Sequence, residues 1–275
     1  MHQLLGWLAC SWLLFSLNAF AGGTLLFGIN EGTSSSMDAM FRKEKYAILS
    51  DYLSKAVGKP FKTETSNILP ILVRNLEKSK YDVLLVRPSH ISARAMRDNN
   101  YRLLVAARGE SKVHFIVRED SPFKTLNDIR GHTIAFPDEM AYPTQLGRAI
   151  LRDAGIDRSR EKILAMDRQG AVGYAVREKM ADVGVVISYS KVAKEWRDRG
   201  GRFLYTKEGL PFWSIIVSPK VSEATISKLR NALLSLEETP KGQAILKGIG
   251  IPGFVAGNQQ AYLDMLSWVD GKPVP

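Results

Sequence analysis

The chain has 275 residues, 45% hydrophobic and 24% charged, with 38 Lys and Arg against 28 Asp and Glu for a formal charge of +10, and a single cysteine. This composition excludes collagen-like, disordered and low-complexity chains. One thiol excludes an intrachain disulfide and any zinc site built from clustered cysteines. The length suits one large domain or two lobes of roughly 100 to 150 residues each.

Residues 1–21 carry no Lys, Arg, Asp or Glu. An apolar run from Leu4 to Leu17 ends at Ala19-Phe20-Ala21, the small-x-small pattern of a signal peptidase site. The run falls short of the roughly 20 residues that span a bilayer. Cleavage after Ala21 removes Cys10 with the segment, which suits an oxidising compartment. The rival reading is an uncleaved anchor extended through Thr24-Leu25-Leu26-Phe27.

From there strands alternate with helices. Leu25 to Ile29 predicts a buried strand closed by the loop Asn30-Glu31-Gly32. Residues 37–57 predict a helix whose apolar face holds Phe41, Ile48, Leu49, Tyr52, Leu53 and Val57, stopped by Gly58-Lys59-Pro60. A strand at Phe61 to Thr65, a helix at Asn67 to Lys78 and a strand at Asp82 to Val86 follow, the last ending at Arg87-Pro88 with Ser89 and His90 on a loop. Next come strands at Arg102 to Ala107 and Val113 to Arg118. Thr125 and Gly131 bracket one capped helical turn. A strand at His132 to Phe136 and a helix at Pro143 to Ala154 come after it. Strands are then predicted at Ile163 to Met166, Val183 to Ile187, Arg202 to Tyr205 and Trp213 to Val217. A helix at Glu223 to Leu236 and a glycine-rich end at Gly248-Ile249-Gly250 complete the chain. This alternation predicts βαβ units and parallel sheet. It occurs twice, around residues 25–86 and 132–187, which predicts two similar α/β lobes.

Four segments, in this order and spacing, carry a resemblance: Lys45-Tyr46-Ala47-Ile48-Leu49-Ser50-Asp51-Tyr52-Leu53, Tyr81-Asp82-Val83-Leu84-Leu85-Val86-Arg87-Pro88, Thr125-Leu126-Asn127-Asp128-Ile129-Arg130-Gly131 and Thr239-Pro240-Lys241-Gly242-Gln243-Ala244-Ile245-Leu246. Together they resemble the phosphate/phosphite/phosphonate-binding family of type 2 periplasmic solute-binding proteins of ABC importers. The resemblance implies an α/β, two-lobed fold with a two-strand hinge. Lobe one would span residues 22–115 plus 215–275 and lobe two residues 116–214, with crossings near Phe115-Ile116-Val117 and Ser214-Ile215-Ile216. It also implies a cleft that holds a small anionic solute where loops meet helix N-termini. It implies no cofactor, no metal and no nucleic acid, and a monomer that partners an ABC permease. The alternative partner is a membrane sensor kinase, on which a ligand-sensing protein would dock.

The sequence departs from that family at two places. A Ser-Thr-Ser clasp usual at the start of the first lobe-two helix is replaced by Met140-Ala141-Tyr142-Pro143-Thr144-Gln145. Pro143 suits the first helical position and leaves the amides of Thr144 and Gln145 free. The usual Gly-Pro followed by Tyr is replaced by Arg87-Pro88-Ser89-His90. The ligand-binding candidates are therefore Asn30, Tyr46, Arg87, Ser89, His90, Tyr142, Thr144, Gln145 and Gln169. Arg87 offers a fork of donors for an oxyanion, or forms a salt bridge. His90 donates to the anion as a cation titrating near pH 6.5, or packs beside Ser89. Tyr46 matches the family's helix-one tyrosine, or fills core. Asn30 and Thr33 lie on the first strand-to-helix loop, and Gln169 on the loop after the Ile163 strand. Ser34, Ser35 and Ser36 offer hydroxyls, with Ser36 better suited to cap the helix. Trp213 lines the cleft or packs as core. His114 and His132 read as structural.

The basic residues Arg148, Arg152, Arg158, Arg160, Lys162 and Arg168, and then Lys191, Lys194, Arg197, Arg199 and Arg202, read as solvated helix faces that attract anionic solutes. The sequence holds no Gly-x-Ser-x-Gly, His-Glu-x-x-His or phosphate-loop motif, which argues against an enzyme.

Overall fold

The structure, a computed structural model, describes residues 23–34, 38–156 and 161–272. The expected signal segment 1–21 lies outside them. The first lobe begins with β1 (Leu25–Asn30), α1 (Ala39–Val57), β2 (Phe61–Thr65), α2 (Leu69–Glu77), β3 (Val83–Val86), α3 (Ser89–Asp98) and β4 (Arg102–Ala107). The second holds β5 (Ser111–Arg118), β6 (Thr133–Phe136), α4 (Tyr142–Asp153), β7 (Lys162–Ala165), α5 (Gln169–Arg177), β8 (Val183–Ile187), α6 (Lys191–Glu195) and β9 (Gly201–Leu210). The chain then returns to the first lobe with β10 (Ser214–Val217), α7 (Glu223–Leu234), α8 (Pro240–Ile249), β11 (Phe254–Val255) and α9 (Gln259–Val269).

Each lobe is built on one sheet, ordered β11-β4-β10-β3-β1-β2 in the first and β7-β6-β8-β5-β9 in the second. The matching triplets β2-β1-β3 and β7-β6-β8 are parallel, as βαβ connection requires, and make the two lobes alike. The parallel sheet expected from the alternation is found in these triplets, and the strands flanking the lobe crossings add antiparallel pairs. β10 runs antiparallel to β3 and β4, and β5 runs antiparallel to β8 and β9. Residues in β3, β8 and β10 are buried throughout, because helices cover both sheet faces. Phe115-Ile116-Val117, where the first crossing was expected, lies inside β5 and pairs with β8 and β9. The sheets exchange chain at 108–110 and again at 211–213, immediately before Ser214.

Local signals account for the helix limits. The Asp38 carboxylate caps α1 by accepting from the amides of Met40 and Phe41 at 2.9 and 3.0 Å, and Gly58 ends it at φ 70°. The cap expected at Ser36, which lies outside the described residues, is thus supplied two residues later. The buried stripe of α1 is Arg42, Tyr46, Leu49, Leu53 and Val57, whereas Phe41 and Ile48 face solvent. Around Thr125 the expected turn carries a reciprocal capping box with Asp128. Ser89 and His90 form the first turn of α3 rather than a loop.

Candidate functional site

β1 and β3 are parallel neighbours, with Asn30 opposite Val86. Their next residues, Glu31 and Arg87, therefore leave the sheet side by side at its carboxyl edge, where such folds place ligands. The Arg87 amide donates to the Asn30 carbonyl at 3.0 Å and holds this alignment. Arg87 Nη2 lies 2.6 Å from Glu31 Oε1. On α1, Lys45 Nζ reaches the same oxygen at 2.8 Å and the Tyr46 hydroxyl at 2.9 Å. Glu31 is 1% exposed and Arg87 8%. The guanidinium stacks on Trp213, 3.8 Å from the ring centroid, which places Trp213 at the Arg87 site as well as in the core. Burial pushes the Tyr46 phenol well above its ordinary value, with Arg87 pulling the other way.

A second set of contacts gathers at the return crossing. The Ser89 hydroxyl lies 2.8 Å from the Phe212 carbonyl and 3.0 Å from that of Pro211, so its one proton is shared between them. Tyr142 from the second lobe donates to the Pro211 carbonyl at 3.3 Å, and Tyr262 of α9 to that of Phe212 at 2.8 Å. Three hydroxyls thus satisfy the Pro211 and Phe212 carbonyls, while the Trp213 carbonyl accepts from the Ala107 amide at 2.8 Å. His90 stacks on Tyr142 with centroids 5.4 Å apart and planes 11° from parallel. Desolvation lowers its pKa from 6.5 to about 3, helped by Arg94, so the ring is neutral. The expected role for His90 as a cation titrating near 6.5 is corrected accordingly. Tyr189 approaches the Arg87 carbonyl from the other lobe at 3.4 Å.

The remaining candidates are engaged within the protein. Asn30 donates to the Ser66 carbonyl at 2.5 Å and accepts from the Gly32 amide at 2.9 Å, fixing the first loop. Thr144 bonds the Pro137 and Asp138 carbonyls at 3.0 and 2.9 Å. Gln145 donates to the Glu139 carbonyl at 2.7 Å, and Gln169 accepts from the Ile187 amide at 2.8 Å. The structure brings Tyr46 and Arg87 together through Glu31, and Ser89, His90 and Tyr142 together at the crossing. It leaves Thr144, Gln145 and Gln169 apart from both groups in the contacts they make. His114 is structural: it stacks on Phe203 at 4.0 Å and bonds Thr206 at 2.8 Å, with its pKa lowered by burial to about 4.

A cavity of about 250 Å³ opens where Thr33 of the first lobe meets Gln169, Gly170, Ser190 and Lys191 of the second. Arg168, Arg177 and Arg199 also line it, against the single acid Glu195. Among the described residues, Trp213 Nε1 and His90 Nδ1, like Ser111 Oγ, are buried without a hydrogen bond. Buried groups of this kind are exceptions that a bound molecule or ordered water commonly completes. Among the described residues no cluster of His, Cys, Asp or Glu could hold a metal, and no helix is long and apolar enough to cross a membrane. Sequence reasoning missed Glu31, Lys45 and Tyr189. An acid directly after a strand that ends in Asn was the available signal for Glu31. Tyr189 had none beyond its place after the β8 run.

Two lobes exchanging chain twice, with polar residues at the carboxyl edges of their sheets, define a type 2 periplasmic binding protein. Residues 32–262 match the family described as ABC transporter, phosphonate, periplasmic substrate-binding protein, and the chain belongs to that family. The family is a non-enzymatic solute-binding component of ABC transporters. The chain's fold is similar to that of XAC2383 from Xanthomonas citri, solved bound to ATP, at 18% identity and TM-score 0.76, covering 91% of this chain and 98% of that one. PhnD1 from Prochlorococcus marinus, in complex with methylphosphonate, is similar at 14% identity and TM-score 0.74, covering 90% and 97%. A binding-protein component of an ABC phosphonate transporter from Pseudomonas aeruginosa is similar at 14% identity and TM-score 0.70, covering 90% and 85%. No curated protein matches the chain.

Proposed function

We propose that this chain captures a small anion, a phosphorus oxyanion or a related species, between its lobes and delivers it as a monomer to an ABC permease. The observation that carries this reading is the cationic cleft. Arg87 and Lys45 outnumber Glu31 on the first lobe, and Arg168, Arg177, Lys191 and Arg199 outnumber Glu195 around the cavity. Such a field favours anions over cations and sugars. The cavity volume suits a solute of a few heavy atoms better than a drug-sized one. The N-terminal segment 1–21 would serve export and be cleaved after Ala21.

A sensing role at a membrane kinase is the second reading. It is favoured by the internal use of Thr144, the one hydroxyl that matches the family's clasp, which bonds the Pro137 and Asp138 carbonyls. Protein purified after export, its mass fixing the cleavage point, should be screened by thermal shift against phosphate, phosphite, alkyl phosphonates, sulfate, sulfonates and organic acids. A ligand at a hundred times its Kd adds about 2.7 kcal/mol of stability. No shift with any anion, beside a shift with a cation or sugar, would sink the anion reading.

A further inference from the structure

The Glu31 carboxylate has the surroundings that a bound oxyanion would have. One oxygen, Oε1, receives a guanidinium, an ammonium and a phenol at 2.6, 2.8 and 2.9 Å, from the end of β3 and from α1. The group is almost wholly buried, and the Arg87 guanidinium is fixed from its face by Trp213. These donors would suit an oxygen of a phosphate or phosphonate equally well, since charge-assisted bonds to Arg and Lys are how such groups are held. The side chain that occupies them belongs to the protein.

Resting on the anion-capture reading, we propose that Glu31 determines specificity. It fills the first lobe's oxyanion position and restricts the cleft to singly charged anions, rejecting dianions. A dianion pressed against this cluster meets a like charge that cannot leave without abandoning three donors, and like charges at this range disfavour the doubly ionised form. A monoanion carries no second charge to set against the Glu31 carboxylate.

Methylphosphonate and methanesulfonate test this, because they share a shape. The first loses its second proton near neutrality and the second stays a monoanion. Their Kd values should be measured by calorimetry at pH 8 on the wild-type protein and on Glu31→Gln. The ratio of the two should move towards methylphosphonate by tenfold or more in the variant, a change of about 1.4 kcal/mol. A smaller or opposite move overturns the role of Glu31 while leaving anion capture standing. Absence of binding of either solute to either protein overturns the role of Glu31, and the same result with every anion of the thermal-shift screen overturns anion capture as well.

Should Glu31→Gln not fold, wild-type affinities between pH 6 and 8.5 decide the matter. Methylphosphonate should weaken as its dianion forms while methanesulfonate holds level; any other pattern overturns the proposal. The groups around the site do not imitate this trend. Tyr46 and Tyr189 are raised by burial, and His90 is lowered to about 3.

Discussion

Burial of His90 against Tyr142, beside Arg94 and the Met140 backbone, makes its protonation costly and ties stability to pH. The unfolded chain takes a proton near pH 6.5, and the folded chain refuses it until about 3. Its contribution is therefore complete above 6.5 and is lost as pH falls. Between pH 6.5 and 5 this one residue should remove about 1–2 kcal/mol, while ordinary carboxylates remain ionised. Urea unfolding at stepped pH should show a shallower decline for His90→Gln than for the wild type; equal slopes would refute the assignment. His114, lowered to about 4, leaves a residual slope in both proteins. Anion affinity, by contrast, should cross pH 6.5 without a step from His90. Arg87 was legible because an arginine directly after an apolar strand stands out. Its partner was not, because only the parallel register of β1 and β3 shows that Glu31 and Arg87 are neighbours.

At the scale of elements, α8 shows how tightly a single backbone position can be set. Thr239 caps the helix by accepting from the Gly242 amide at 3.0 Å, which draws the first turn onto Leu236. A Cβ at Gly242 would lie 2.7 Å from the Leu236 carbonyl carbon and 2.8 Å from its Cα, both backbone atoms that cannot swing aside. Gly242→Ala should therefore cost roughly 1–3 kcal/mol in denaturant unfolding, in the range of other overpacked sites. A loss under about 0.5 kcal/mol would contradict this, being the scatter of neutral surface changes. Strands buried on both faces were readable as apolar runs, and caps such as Thr125 as local chemistry. Helices α3, α5 and α9 were not, because Ser89, Gln169, Gly173 and Gln259 interrupt apolar periodicity that only tertiary packing restores. The stripe of α1 was misassigned because Arg42 and Ser50 are buried while Met40, Phe41 and Ile48 are exposed, which inverts the usual pattern.

Across the whole molecule, α9 joins the lobes a second time. Tyr262 fixes it at the return crossing, and about 9 Å further along the helix its end meets the second lobe. There Arg152 donates to the Trp268 and Val269 carbonyls at 2.6 and 3.2 Å, and Trp268 Nε1 donates to Asp153 at 2.5 Å. Arg94 and Arg97 hold the adjoining Asp270 from the first lobe at 2.6 and 2.9 Å. A contact set off from the crossing resists rotation of the lobes. Arg152→Ala combined with Trp268→Phe should therefore enlarge the radius of gyration in solution scattering without added solute. An unchanged radius would show that α9 does not restrain opening. The position of β10 between β3 and β4 has another consequence, for synthesis. The second lobe is complete once residue 210 has been made, yet the sheet of the first lobe still lacks its middle strand. A nascent chain ending before Ser214 would carry β3 and β4 with no strand to join them. The half made first is thus the half finished last.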